Sequence, residues 1–318
     1  MGYLSDNIIP EIWQENLAID VAEEAKIFNT PMVKKDNNFH NGTAAIVKAP
    51  FMLEPNNISE QPQEDVRVTA HKVGQELDQM IRITRTTSWR YSETTTRYFD
   101  PGWGQKLYQY TATWLAKEYE RLAVGILKAI FGPGGTLYST HTVDVNTPLD
   151  FPIVSRGKQL LGDVRSDLSV TVANSAVIGA LQLLGLANEM VVPNWKERII
   201  NQGELPILMG MPIVETDLLQ PVVIGGTTKY LTFFSGNEPT VFCNSFIKIQ
   251  TEYDSTFNGG DERLVVIFDF CFHVPGVKYA LDNVLTPTDA QLFDPATWVR
   301  VADHNKKIKL IALFTPIE

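Results

Sequence analysis

The residues able to do chemistry are few and scattered. Five histidines, His40, His71, His141, His273 and His304, occur at spacings that never match a zinc helix motif such as H-E-x-x-H, in which two imidazoles share one helix face. His40 and His71 fall in polar, extended sequence and read as solvent-facing. His273, between Phe272 and Val274, is the best candidate for a buried histidine, with a satisfied structural role as its expected use. Cys243 and Cys271 are the only cysteines, each inside an apolar run. Two ligands cannot complete a structural zinc site, so the pair reads as reduced core residues, with a disulfide as the alternative. Gly132-Pro133-Gly134-Gly135 lacks the lysine of a phosphate loop. Gly225-Gly226-Thr227-Thr228-Lys229 lacks the upstream glycine of G-x-x-x-x-G-K-[ST] and has Tyr230 after the lysine. Both read as turns, and no G-x-S-x-G nucleophile elbow occurs. The acidic pairs Glu23-Glu24 and Asp261-Glu262 read as a solvated helix face and a hairpin turn, whereas paired catalytic carboxylates need a cleft that holds them ~5 to 10 Å apart. The richest basic run, Arg82, Arg85, Arg90 and Arg97, is interleaved with Trp89, Tyr91 and Tyr98. Such residues suit a stacking and phosphate-binding strip. The favoured reading is that these arginines pair with acids on an adjacent subunit or on the long helix described next. No catalytic, cofactor-binding or metal site is expected, and no cofactor.

The elements that would position these residues are easier to read. Pro10-Glu11-Ile12-Trp13 looks like a helix opening, and Val21, Ala22, Ala25 and Phe28 continue a modest apolar face, in an arm too short to be a domain. From Thr43 the chain turns extended and polar. A strand to Phe51, a tip containing Glu54-Pro55-Asn56-Asn57 and Gln61-Pro62, and a return limb through Val66, Val68, Ala70, Ile81 and Ile83 make a long hairpin. Ordering some 50 residues costs about 50 to 100 kcal/mol of backbone entropy, and a two-stranded ribbon with so few apolar residues is marginal alone. The hairpin is therefore expected to lie against a neighbouring subunit. The strongest helix runs from about Gln105 to Phe131, with Leu107, Thr111, Leu115, Tyr119, Leu122, Ile126 and Ile130 along one stripe. Further elements are expected as a helix at about Ile153 to Gly162, a buried strand at Asp167 to Ala173, and a helix capped by Asn174 or Ser175 that runs to about Leu184. Strands follow at Ile207 to Met209, Pro212 to Glu215 and Tyr230 to Phe234. Ile247, Ile249, Thr251 and Tyr253 alternate with polar residues on a strand with one wet face. Asn258-Gly259-Gly260-Asp261 turns it into a more buried strand at Leu264 to Val274.

Composition sets the outer limits. The 318 residues allow about two domains at ~150 residues each, and 44% hydrophobic with 20% charged residues describes a chain that folds. The net charge of −10 argues against a large basic surface for nucleic acid. No stretch approaches the ~18 uncharged apolar residues of a membrane span, so no membrane partner is expected. The opening Met1-Gly2-Tyr3-Leu4-Ser5-Asp6 shows no secretory pattern, so synthesis in the cytoplasm is expected. The sequons at Asn41 and Asn57 would then be coincidental.

Taken in order, several segments resemble the major capsid proteins of tailed bacteriophages. These are Ile8-Ile9-Pro10-Glu11-Ile12-Trp13, Trp89 with Asp100-Pro101, and the helix ending Glu120-Arg121-Leu122 through Leu127-Lys128-Ala129-Ile130-Phe131. Further on come Leu168-Ser169-Val170 with Asn174-Ser175-Ala176-Val177 and Leu181-Gln182, Met209 to Val214, His273 to Tyr279, Thr286 to Ala290, Trp298 and Lys306 to Leu313. The resemblance implies an α+β, HK97-like capsid fold. Its regions would be an N-terminal arm over 1–42, an extended E-loop hairpin over 43–98, a P domain with the long spine helix over 99–150, an A domain over 151–237, and returning P-domain strands with the C-terminal segment over 238–318. It implies a coat subunit, not an enzyme, that self-assembles into hexamers and pentamers of an icosahedral-type head, located in the virion. Double-stranded DNA would be enclosed but only weakly and non-specifically contacted. Portal, separate scaffold and decoration proteins are the other implied partners. Some relatives carry a long N-terminal scaffolding extension, whereas here the arm motif begins almost at Met1. Some crosslink a lysine to an asparagine, but Lys48, Lys72 and Asn258 match no motif specific enough to carry that chemistry. An encapsulin-type compartment shell is the alternative within the fold, and a cytoplasmic α/β enzyme the alternative outside it.

Overall fold

The computed structural model describes residues 25–35, 46–53, 74–92, 103–187, 207–254, 261–281 and 284–317. The arm before residue 25, the hairpin tip, and the sequence around His40, His71, Arg97, Lys72 and Asn258 lie outside these residues, as do both sequons.

A helix, α1 (Trp103–Phe131), is the spine, ~43 Å long at 1.5 Å per residue. All seven positions of the expected stripe, Leu107 to Ile130, are buried. The helix stops where Gly132 donates its N–H to the Lys128 carbonyl at 2.8 Å and Gly134 takes φ +83°, a conformation with little steric cost only for glycine.

The spine crosses a five-stranded sheet in the order β1-β10-β11-β3-β2. Its members are β1 (Val33–Lys35), β2 (Ile46–Met52), β3 (Gln75–Ser92), β10 (Thr240–Asp254) and β11 (Asp261–His273). The expected wet-faced strand is borne out: Ile247 and Ile249 are buried while Gln250 and Glu252 are exposed. The even residues Leu264 to Phe272 of β11 are fully buried. Tyr119 of the spine stands 5.3 Å from the Phe268 ring and 4.7 Å from that of Phe270. Fully burying each such side chain contributes roughly 1.5 to 3 kcal/mol, so this aromatic seam holds spine to sheet. The N-terminal stretch joins the same core through Phe28, stacked on Phe242 at 4.3 Å. Where the sequence suggested a continuing helical face, a 3-10 turn at Ile27–Asn29 forms. Its Ile27 N–H donates to the buried Glu120 carboxylate at 2.6 Å.

The second sheet has the order β4-β14-β9-β5-β7-β6, with β8 paired to β9. Its strands are β4 (Thr142–Asp144), β5 (Leu168–Ala173), β6 (Ile207–Leu208), β7 (Met211–Glu215), β8 (Val222–Ile224), β9 (Thr227–Gly236) and β14 (Leu310–Thr315). All six residues of β14 are buried, and alternation sends them to two cores. Leu310, Ala312 and Phe314 join the spine core, while Ile311 and Leu313 join a second cluster with Val154, Val177 and Ile178. Those last three lie on α3 (Phe151–Gln159) and α4 (Ser175–Ala187), the short α2 (Tyr138–His141) coming before them. The first of the two begins earlier than Ile153 because Asp150 caps it, accepting from Phe151 N at 2.6 Å with Pro152 in the first turn. Asn174 caps α4 as expected, accepting from Ala176 N at 2.9 Å. A two-stranded pair, β12 (Val277–Tyr279) and β13 (Trp298–Arg300), and the one-turn α5 (Asp289–Leu292) complete the fold.

Gly125 makes a testable point about the spine. A helix-interior glycine normally gains ~1 kcal/mol on replacement by alanine. Here the new Cβ would sit 2.0 Å from the Phe293 ring. Overpacking of this kind costs about 1 to 3 kcal/mol, so Gly125→Ala is expected to lower the melting temperature, whereas helix propensity alone predicts a rise.

Candidate functional site

Among the described residues, several of those with chemical potential have structural partners. Cys243 and Cys271 face each other across β10 and β11 as buried thiols not joined by a disulfide. Burial, with Cys243 alongside, raises the Cys271 pKa and suppresses its thiolate. Both are expected to resist maleimide in the folded subunit and to react only after denaturation, as mass spectrometry would show. Gly225 and Gly226, at φ +60° and +83°, form the tight turn between β8 and β9, and Lys229 is buried in an ion pair with Asp144. The same carboxylate accepts from the Tyr138 hydroxyl at 2.6 Å. Asp261 and Glu262 belong to the first turn-proximal residues of β11, paired with β3 and β10. Among the described residues, no group of three or more His, Cys, Asp or Glu side chains is placed to hold a metal ion, and no helix is long and apolar enough to cross a membrane.

Two arginines of the strip, Arg82 and Arg85, pair within the chain, with acids that do not lie on the spine. Arg82 pairs with Asp269 on β11, and Arg85 with Asp289 on α5 at 2.7 Å. Asp289 also receives Arg121 of the spine at 2.7 Å, so the acid bridging strip and spine comes from the C-terminal segment. Trp89 meets Trp114 edge to face at 5.4 Å and Tyr110 at 6.0 Å, so it packs on the spine.

Of the histidines, His273 is buried as expected, its Nε2 3.0 Å from Asp78 Oδ2. Among the described residues its Nδ1 finds no hydrogen-bond partner. His141, which nothing in the sequence set apart, is buried just as fully, with Nε2 3.0 Å from the Asn305 carbonyl and Nδ1 2.8 Å from the Thr140 hydroxyl. His304 is exposed.

Among the described residues, several of these groups converge at the root of the hairpin. Along β3 the neighbour changes: Arg82 to Ser92 pair with β11, whereas Gln75 to Ile81 pair with β2. At this junction Asp78 accepts from His273, from Gly276 N at 2.8 Å and, through its other oxygen, from Gln79 N at 3.0 Å. Burial raises the Asp78 pKa, but His273 and the two backbone N–H groups outweigh it and hold the carboxyl below its ordinary value. On the other strand Lys307 Nζ donates to the Met52 carbonyl at 2.8 Å, lies 5.5 Å from the Phe51 ring centroid and pairs with Asp303 at 2.8 Å. Beyond the junction the ribbon leaves the core: Leu77 is 58% and Met52 54% exposed.

No protein-family model matches the chain. A protein named major capsid protein, from Bacillus phage SPP1, is 20% identical over 331 residues, covering 97% of this chain and 96% of its own. Among solved structures, the capsid of Ralstonia phage GP4 matches with a TM-score of 0.60 at 9% identity, over 90% of this chain and 87% of its own. The cyanophage Pam1 capsid matches with 0.61 at 8% identity, over 93% of each chain. The head structure of Helicobacter pylori bacteriophage KHP40 matches with 0.57 at 9% identity, over 90% and 88%. These alignments run over nearly the whole chain, and the fold is that of the HK97-like phage capsid proteins.

Proposed function

We propose that this chain is the major capsid protein of a tailed phage, a structural subunit of the virion that self-associates into the hexamers and pentamers of the head. The observation that carries the reading is alignment over nine-tenths or more of this chain with a protein named major capsid protein and with solved phage capsids, all of nearly equal length. The regions follow as an arm over 1–42, an E-loop over 43–98, a P domain from 99, an A domain over 151–237 and returning strands with the C-terminal segment from 238. Work is done by burial repeated between identical copies, with no turnover. The acidic net charge and the pairing of Arg82 and Arg85 within the chain suit a wall that encloses double-stranded DNA while gripping it weakly. A portal, a separate scaffold and decoration proteins are its further partners. Synthesis takes place in the host cytoplasm.

Electron microscopy of the purified protein, alone and with the scaffold from the same genome, tests this directly. Closed shells or capsomer rings are the expected result. Small monomers persisting under every assembly condition would overturn the reading.

A further inference from the structure

We infer that the hairpin root is a two-jawed clamp, Asp78 with His273 and Gly276 on one strand and Lys307 on the other, and that these residues set the direction in which the hairpin projects. The inference rests on the capsid reading and names the positioning residues within it.

The two jaws grip different strands of one ribbon from different parts of the chain. Asp78, on β3, is held by His273 at the end of β11 and by the N–H of Gly276 just beyond it. Lys307, in the 3-10 turn Asn305–Lys307 near the C-terminus, reaches back to the Met52 carbonyl and the Phe51 ring on β2. Gly276 links the jaws. Its φ is +92°, and a Cβ there would come within 3.3 Å of the Phe51 ring and 3.0 Å of Ala302 Cβ, so a larger residue would press on the ribbon. At the junction itself Ile81 and Ile83 are buried and belong to the main hydrophobic cluster, so apolar packing ties the ribbon's base to the core beside the two jaws.

Lever arithmetic gives the clamp its purpose. From the junction the ribbon runs out through the paired residues Ile81 to Gln75 of β3, about 20 Å at ~3.3 Å per residue. A 10° change at the root would then shift its outer end by roughly 3.5 Å, about one residue's rise along a strand. A subunit whose hairpin must meet the same surface on every neighbour therefore needs a stiff root. Hydrogen bonds on both strands supply that stiffness better than apolar contact, because they have direction.

Pulsed electron paramagnetic resonance reads the direction without requiring assembly. One nitroxide goes at the exposed Gln75, on the ribbon beyond the root, and one at the exposed spine residue Lys117, on a background with Cys243 and Cys271 left buried. The expected result is one narrow distance distribution for the parent. It broadens at least about twofold in Lys307→Met and Asp78→Asn, broadens further in the double variant, and is restored by Lys307→Arg. Melting curves confirm that the variants fold, and microscopy should show fewer or misshapen shells from them. Unchanged distributions with normal shells from folded variants would overturn the clamp and leave the capsid reading standing. Failure of the parent to form any shell would overturn the capsid reading, while the distance measurement would still decide the clamp.

Discussion

Acidification from pH 7 to pH 4 is expected to remove about 3 kcal/mol of subunit stability through His141 alone. The ring is fully buried. Because a carbonyl oxygen only accepts, the contact with Asn305 assigns the proton to Nε2, and Nδ1 then accepts from the Thr140 hydroxyl. Both polar atoms are satisfied in the neutral form, so a second proton brings charge into the interior with little new bonding. Burial is the main cause, and the nearby Arg300 adds repulsion. Together they outweigh the Asn305 contact and push the pKa down from 6.5 to about 4. The sign follows from the folded pKa being the lower one. Between about pH 6.5 and pH 4 the unfolded chain binds the proton and the folded chain does not, so stability is full above this window and is lost as pH falls through it. Urea unfolding of the parent and of His141→Gln at pH 7, 5.5 and 4 isolates the effect, since other acid-sensitive groups such as Asp78 cancel in the difference. The parent's advantage should shrink by about 3 kcal/mol across the series. A difference that stays level with pH would refute the assignment.

The same residue shows what the sequence can and cannot carry. Periodicity exposed the spine completely, because Leu107 to Ile130 obey a rule that depends only on near neighbours. It also exposed the alternation of β10, for the same reason. Long-range partners carry no such mark. Asp78 sits in the polar run Gln75-Glu76-Leu77-Asp78-Gln79, and nothing local distinguishes its buried carboxylate from the exposed Glu76 beside it. Its role arises because His273, almost two hundred positions away, arrives on the neighbouring strand. Nor does anything local mark Asp289 as the partner of Arg85 and Arg121, which lie 204 and 168 positions away in the sequence. β14 was legible as part of a closing segment, but not as the strand that divides the two cores, because that depends on which sheet it enters. Family resemblance covered this gap for the fold as a whole. It could not do so for individual pairs such as Lys307 with Met52.

Deleting residues 54–65 is expected to lower shell formation by at least about a hundredfold while leaving the subunit folded. The two halves of this outcome have separate causes. The subunit's own stability is anchored at and below the junction, where Ile81 and Ile83 enter the core and Leu264 to Phe272 pack under the spine. Removing twelve residues beyond Leu53 touches none of these, and shorter loops change closure entropy only slightly, by about 0.6 kcal/mol per halving of length. Assembly responds differently. Twelve ordered residues cost about 12 to 24 kcal/mol in backbone entropy, a cost that the reading proposed above has offset at contacts between subunits. Each 1.4 kcal/mol of lost contact is a factor of ten in association, so a net loss of only ~3 kcal/mol per subunit gives the hundredfold change. Leu77 and Met52, more than half exposed at the root, extend the test to described positions. Leu77→Lys with Met52→Lys should alter the subunit's melting little, as exposed substitutions typically stay within about 0.5 kcal/mol, yet reduce assembly if a second copy covers this face. Sedimentation against protein concentration, paired with thermal melting, reads both quantities on one preparation. Shells of normal yield and size from the deletion would show that the hairpin does not work between subunits.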